Sequence, residues 1–87
     1  MMRIVAYERF RKSYQHLPSS LQRKVDKQLR FLVENLRHPS LQVKPIKGAR
    51  GLWEARVDLH YRMTFEMIGD AISLRVVGNH DDVLKRP

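Results

Sequence analysis

Eighty-seven residues with 43% hydrophobic content make one small domain with a single modest core, read as one unit over residues 1–87. The absence of cysteine excludes a disulfide framework and a thiolate zinc site. No apolar run approaches the ~20 residues of a membrane span and no signal-peptide core is present, so a cytoplasmic protein without membrane association is expected. Lysine and arginine total 17 against 9 acids, a net charge of +8, which favours a polyanionic partner such as nucleic acid, the ribosome or an acidic protein.

The chain opens with "MRIVAY", a short apolar run that reads as a strand. Residues 8–16 carry Phe10 and Tyr14, with Leu17 following, at helical spacings of four and three, and "LPSS" breaks the helix. Ser19 followed by Gln22 has the form of a capping box. Beyond it Leu21, Val25, Leu29, Leu32 and Leu36 fall within about 80° on a helical wheel, one apolar stripe. Pro39 disfavours helical geometry at His38, so this second helix is expected to end before His38, and the two helices to form an antiparallel hairpin.

The second half reads as strands. "LQVKPIKG" reads as a strand interrupted or ended by Pro45, which places it at a sheet edge or beside a bulge. From Trp53 every second residue is apolar (Trp53, Ala55, Val57, Leu59, Tyr61, Met63, Phe65, Met67), and those between are polar or charged. That period of two gives strands over residues 52–57 and 61–68 with a turn near 58–60. Gly69-Asp70 turns the chain into a last strand over 71–77, where Ile72, Leu74 and Val76 alternate with Ser73 and Arg75. "GNHDDVLKRP" closes with a helical turn, with Asp81 and Asp82 as expected caps. The class is therefore α+β: a strand, a helix hairpin, then an antiparallel sheet of three or four strands with the helices on one face.

The opposite face is expected to stay open and to carry Gln42, Lys44, Glu54, Arg56, Arg62, Thr64, Glu66, Ser73 and Arg75. Strands about 4.8 Å apart would bring Arg56, Arg62 and Arg75 into one patch. Such a patch can hold nucleic-acid phosphates, or it can be a solvated face with Arg–Glu pairs to Glu54 and Glu66. His80 leaves the last strand at one end of the sheet, where it is either a proton-transfer group or a polar loop residue. His60, at the turn, either approaches the patch or faces water. No two histidines have metal-ligand spacing, and neither metal nor cofactor is expected. Trp53, Tyr61 and Phe65 fall on the buried row.

Taken together, "FRKSY…LPSSLQRKV", "HPSLQVKPIKG", "GLWEARVDLHYRMTFEM" and "GNHDDVL" resemble the RelE/ParE superfamily of bacterial toxins from toxin–antitoxin operons, over nearly the whole chain. The Tyr-Arg pair in the third strand and the Gly-x-His close are the specific part. The resemblance implies a ribosome-dependent mRNA endonuclease that cuts A-site codons on the 70S ribosome. The 2′-hydroxyl is then the nucleophile, and an antitoxin from a neighbouring gene blocks the toxin, with an acidic segment answering the basic surface. It implies Arg62 as the phosphate-stabilising arginine, His80 in acid–base chemistry and Arg75 near a phosphate-binding arginine of the last strand. Lys44, Lys47, Arg56 and His60 suit the RNA-binding surroundings. RelE itself has two lysines on the strand that here carries only Arg56, and a tyrosine in a C-terminal helix where this chain has none. Two other readings use the same fold: a ParE-like inhibitor of DNA gyrase, and a non-catalytic basic binding module.

Overall fold

Residues 2–87 are described by a computed structural model in which the elements follow the expected order. They are β1 (Arg3–Ala6), α1 (Glu8–Gln15), α2 (Ser19–Glu34), a 3-10 turn (Pro39–Leu41), β2 (Lys44–Pro45), β3 (Trp53–Arg56), β4 (Tyr61–Ile68), β5 (Ala71–Asn79) and α3 (His80–Lys85). The class is α+β. β2 to β5 form the antiparallel meander that alternation indicates. β1 adds a fifth strand, parallel to β5, so the sheet is mixed and its order is β1-β5-β4-β3-β2. A parallel pair needs a long crossover, which the two helices help supply. Pro45 lies in β2 at the sheet edge, where its missing N–H costs no ladder bond.

One face of the sheet packs against α1 and α2. Phe10, Val25 and Leu32 from the helices meet Ala55, Met63, Phe65, Ile72, Leu74 and Val77 from the strands, all buried. Each large side chain removed from water in this way contributes about 1.5–3 kcal/mol before entropy is charged against it. The apolar row begun at Trp53 holds through β3 and most of β4. It fails at Leu59, which the turn leaves 65% exposed, and at Met67, exposed beside the β4–β5 turn.

The buried line on α2 is Val25, Gln28 and Leu32, while Leu21 and Leu29 are only half-buried. It is therefore rotated from the expected leucine stripe toward Gln28. A buried amide is stable only when bonded. Gln28 Nε2 donates to the carbonyls of Arg56 (2.8 Å) and Ser40 (3.2 Å), tying α2 to the end of β3 and to the 3-10 turn. The capping box does not form. Pro18 occupies the N-cap position, its carbonyl accepts from Leu21 and Gln22, and the Gln22 amide reaches back to the Tyr14 carbonyl at the end of α1.

β5 departs from simple alternation. Thr64 pairs with Val76 and Phe65 with Leu74, which leaves Arg75 as the extra residue of a bulge. Beyond it the parity flips. Val77 enters the helix-side core, and Val76, opposite Thr64, turns to the other face instead of the core. The Val77 N–H is taken up by Ser13 Oγ at 3.1 Å, so α1 closes the gap where β1 has ended.

That other face is not fully open, contrary to the expectation from alternation. α3 folds back against β4 and β5 with Val83 buried, and Thr64 Oγ1 donates to the Pro87 carbonyl. Thr64 is 0% exposed and Glu54 4%. The N-cap of α3 is Asn79, whose side chain accepts from the Asp81 N–H; Asp81 and Asp82 lie in the first turn, where the helix dipole favours them.

Candidate functional site

The turn between β3 and β4 is built by one carboxylate. Asp58 Oδ1 accepts from the backbone N–H groups of His60 and Tyr61, both at 2.9 Å, and Oδ2 accepts from Lys24 Nζ at 3.1 Å. Burial alone would raise the Asp58 pKa, but those N–H groups and the lysine outweigh it and hold the carboxyl below its ordinary value.

Arg62 fixes the other side of the same turn. Its Nη1 donates to the carbonyls of Asp58 (2.7 Å), Tyr61 (3.0 Å) and Leu59 (3.3 Å), and its Nε lies 3.6 Å from Glu54 Oε1. The side chain is 15% exposed and that of Glu54 5%, so this is a sheltered ion pair. Nη2 has no acceptor among the described residues, which leaves one end of the fork for a ligand. The strand register sets Arg56 directly opposite Arg62, so these two do share a patch as expected.

His80 is the first residue of α3. Its N–H donates to the His60 carbonyl at 2.8 Å, so the turn histidine and the helix histidine are adjacent through the backbone. The His80 ring is 40% exposed, and Nδ1 lies 3.3 Å from Asp81 Oδ1. It lines a cleft of about 470 Å³ with Lys44, Pro45, Ile46, Lys47, Glu54 and Leu84. Both lysines are exposed, and Lys44 is paired with Glu54 in the ladder. The cleft thus brings together two ammonium groups, one imidazole and a buried carboxylate that holds Arg62.

Arg75 lies apart from that group. The bulge projects it beside Tyr7, with its guanidinium carbon 5.7 Å from the ring centre. Its Nη1 pairs with Glu66 Oε1 at 2.9 Å and its Nε donates to the Pro87 carbonyl at 3.0 Å. Tyr7 also donates to Glu66 Oε1 (2.8 Å), a bond that, with slight desolvation and the glutamate's charge, raises the phenol pKa. Arg75 shares no cavity with His80. Of the expected residues, therefore, Lys44, Lys47 and His80 line one cleft, Arg62 joins it through Glu54, His60 is tied to His80 through the backbone, Arg56 lines a separate cavity with Lys24 and Lys27, and Arg75 lies elsewhere. Both expected cross-strand partners, Glu54 and Glu66, are in place. What alternation could not anticipate is the lid made by α3, which turns Glu54 from a surface charge into the floor of a cleft.

No protein-family model and no curated protein matches the sequence. Solved structures do match at the level of fold. YafQ from E. coli strain BL21(DE3) superposes with a TM-score of 0.80 at 15% identity, covering 95% of this chain and 98% of that one. The RelB–RelE antitoxin–toxin complex from Methanococcus jannaschii gives 0.73 at 22% identity, over 95% and 99%. The YoeB/ParE toxin from Agrobacterium tumefaciens gives 0.75 at 17% identity, over 91% and 99%. At these TM-scores and coverages, this protein has the fold of the RelE/ParE toxins.

Proposed function

We propose that the protein is the toxin of a toxin–antitoxin pair and acts as a ribosome-dependent mRNA endonuclease, with the His80 cleft as its catalytic site. The observation that carries this reading is the convergence of His80, Lys44 and Lys47 over the buried Glu54–Arg62 pair, on the fold of RelE-type toxins.

The reaction removes the proton of a 2′-hydroxyl, places negative charge on the phosphate and delivers a proton to the 5′-oxygen. His80, half-exposed at the cleft rim, is the group for proton transfer. Lys44 and Lys47 draw the backbone in, and the free Nη2 of Arg62 meets the phosphate with its direction fixed by the three carbonyls and Glu54. His60 and Arg56 bind at the margins. Arg75, outside the cleft, serves binding rather than bond cleavage. The partner that silences the toxin is an antitoxin with an acidic segment, in keeping with the net charge of +8 and with the antitoxin-bound form of the archaeal RelE.

The test is primer extension on mRNA translated in a purified bacterial system. Wild-type protein is expected to cut within A-site codons only when ribosomes are present. His80→Gln and Arg62→Lys are expected to lose that cleavage while keeping their melting temperatures within a few degrees. Lysine keeps a cation for Glu54 but loses the fork, so the second variant separates chemistry from folding. Intact mRNA with wild-type protein would refute the nuclease reading and turn the question to DNA gyrase, assayed by supercoiling.

A further inference from the structure

The sheet has two edges, and the sequence guards only one of them. β2, at one end of the strand order, consists of Lys44 and Pro45, a charge and a missing N–H that both discourage a further strand. β1, at the other end, reads Arg3-Ile4-Val5-Ala6, with no lysine, no proline and no register shift against β5. Its one charge, Arg3, is already answered by Asp70 at 3.1 Å. Four of the five large apolar side chains exposed among the described residues lie at this corner of the sheet. Val5 and Tyr7 are on β1 and just after it, and Met67 and Ile68 are beside the β4–β5 turn. On a chain of net charge +8, β1 is an apolar, charge-compensated edge that suits protein better than a polyanion.

The backbone of β1 is set to receive a strand. The Arg3 and Tyr7 N–H groups donate to the carbonyls of Asp70 and Leu74, on the β5 side, both at 3.0 Å. Backbone groups alternate sides along a strand, so Ile4 and Ala6 turn their N–H and C=O outward, where they have no partner among the described residues. A second β1, antiparallel about a two-fold axis at Val5, satisfies all of these groups. Ile4 then pairs with the partner's Ala6 and Ala6 with the partner's Ile4, each pair exchanging both N–H···O bonds. Val5, 42% exposed in the single chain, meets the partner's Val5 in the close non-hydrogen-bonded position, with Cα atoms about 4.5 Å apart. Arg3 falls opposite the partner's Tyr7, a residue still extended at φ −67° and ψ 157°, whose ring face can take the guanidinium. An acidic segment gains nothing from charge along β1, whereas a second copy meets its own apolar side chains by symmetry.

We infer that β1 is a docking edge for a second copy of this chain, an antiparallel β1–β1 pair centred on Val5 that joins two five-stranded sheets into one. A contact made by so short a strand buries less than the ~1,600 Å² of a standard interface, so the association is weak and depends on concentration. β1 and β2 are four strand spacings apart, about 19 Å at ~4.8 Å each. Pairing at β1 therefore leaves the His80 cleft open in both copies, and the inference stands or falls apart from the nuclease reading.

The experiment is sedimentation equilibrium of the purified full chain between roughly 10 µM and 1 mM, the range in which a weak interface fills. The weight-average mass is expected to climb toward twice that of the chain. Val5→Lys sets like charges face to face on the axis, and Ala6→Pro removes an outward N–H that the single chain does not use. Both are expected to stay monomeric throughout, while Leu59→Lys, at the exposed apolar residue of the far turn, associates like the wild type. Register is read by cross-linking. The chain has no cysteine, and a Val5→Cys pair across the axis lies within the Cα separation of about 4.4–6.8 Å that a disulfide spans. In a glutathione redox buffer Val5→Cys is expected to form covalent dimer several-fold faster than Leu59→Cys, and this readout holds even if Ala6→Pro disturbs folding. A wild-type chain that is monomeric at every concentration would overturn the inference, as it would if β1 takes only the strand of a different protein. Association that survives Val5→Lys, or equal cross-linking of the two cysteine variants, would place the contact elsewhere and overturn it as well.

Discussion

Gln28 offers the sharpest test of how this fold is held. Its amide is 6% exposed and donates to two backbone carbonyls, Arg56 at the end of β3 and Ser40 in the 3-10 turn. Gln28→Leu keeps the volume close to constant, so the cavity term is small and the loss is polar. Each orphaned buried acceptor costs about 1–3 kcal/mol, and Ser40 is exposed enough for water to replace part of its bond. The leucine recovers about 1 kcal/mol or more by its own burial. The net expectation is a destabilisation of about 2 kcal/mol, or roughly 8–16 °C for a domain of this size. Gln28→Glu should be worse at pH 7, because a carboxylate then faces two carbonyls. Burial and those oxygens raise the folded pKa of the new acid above its unfolded value. Stability is then greatest below about pH 4, the unfolded value, and declines as pH rises through the folded one. Urea denaturation and thermal melts followed by circular dichroism at several pH values read both effects. If Gln28→Leu shifts stability by less than about 0.5 kcal/mol, or if Gln28→Glu is indifferent to pH, the amide is not bridging these elements.

Leu32→Ala is expected to cost about 2–5 kcal/mol as a truncation in the core, whereas Leu29→Ala, beside an open groove, should cost clearly less; urea midpoints that reverse this order would reject the register of α2. Asp58 has a folded pKa below its unfolded value, so its stabilising contribution is present above about pH 4 and is lost as pH falls through the folded value. Asp58→Asn should therefore flatten the fall in melting temperature below pH 4, and an unaltered acid limb would count against the turn described here. Arg62→Ala leaves the carboxylate of Glu54 sheltered without its cation, an imbalance of about 3–5 kcal/mol. Adding Glu54→Ala should restore part of the loss, and strict additivity in that cycle would mean the two do not interact.

The amphipathic periods carried much of this protein openly. A period of two from Trp53 located β3 and β4, the leucine spacing located α2, and Pro45 marked the edge strand, because each of these depends on neighbours in sequence. The charge of +8 and the residues Arg56, Arg62 and His80 were likewise legible, and Glu54 and Glu66 could be named as arginine partners from alternation alone. What sequence did not decide was anything that depends on where distant segments land. A single bulged residue at Arg75 reverses the facing of everything after it, sending Val76 to the face that alternation assigned to polar groups. Gln28 reads as a surface residue until two carbonyls meet it. α3 is too short for its packing to be read from periodicity, yet its return over β4 and β5 buries Thr64 and makes a cleft floor of Glu54, while the bulge leaves Arg75 in a recess apart from His80. Local patterns are set by backbone geometry, which repeats every few residues; the site is set by long-range closure, which only the folded chain supplies.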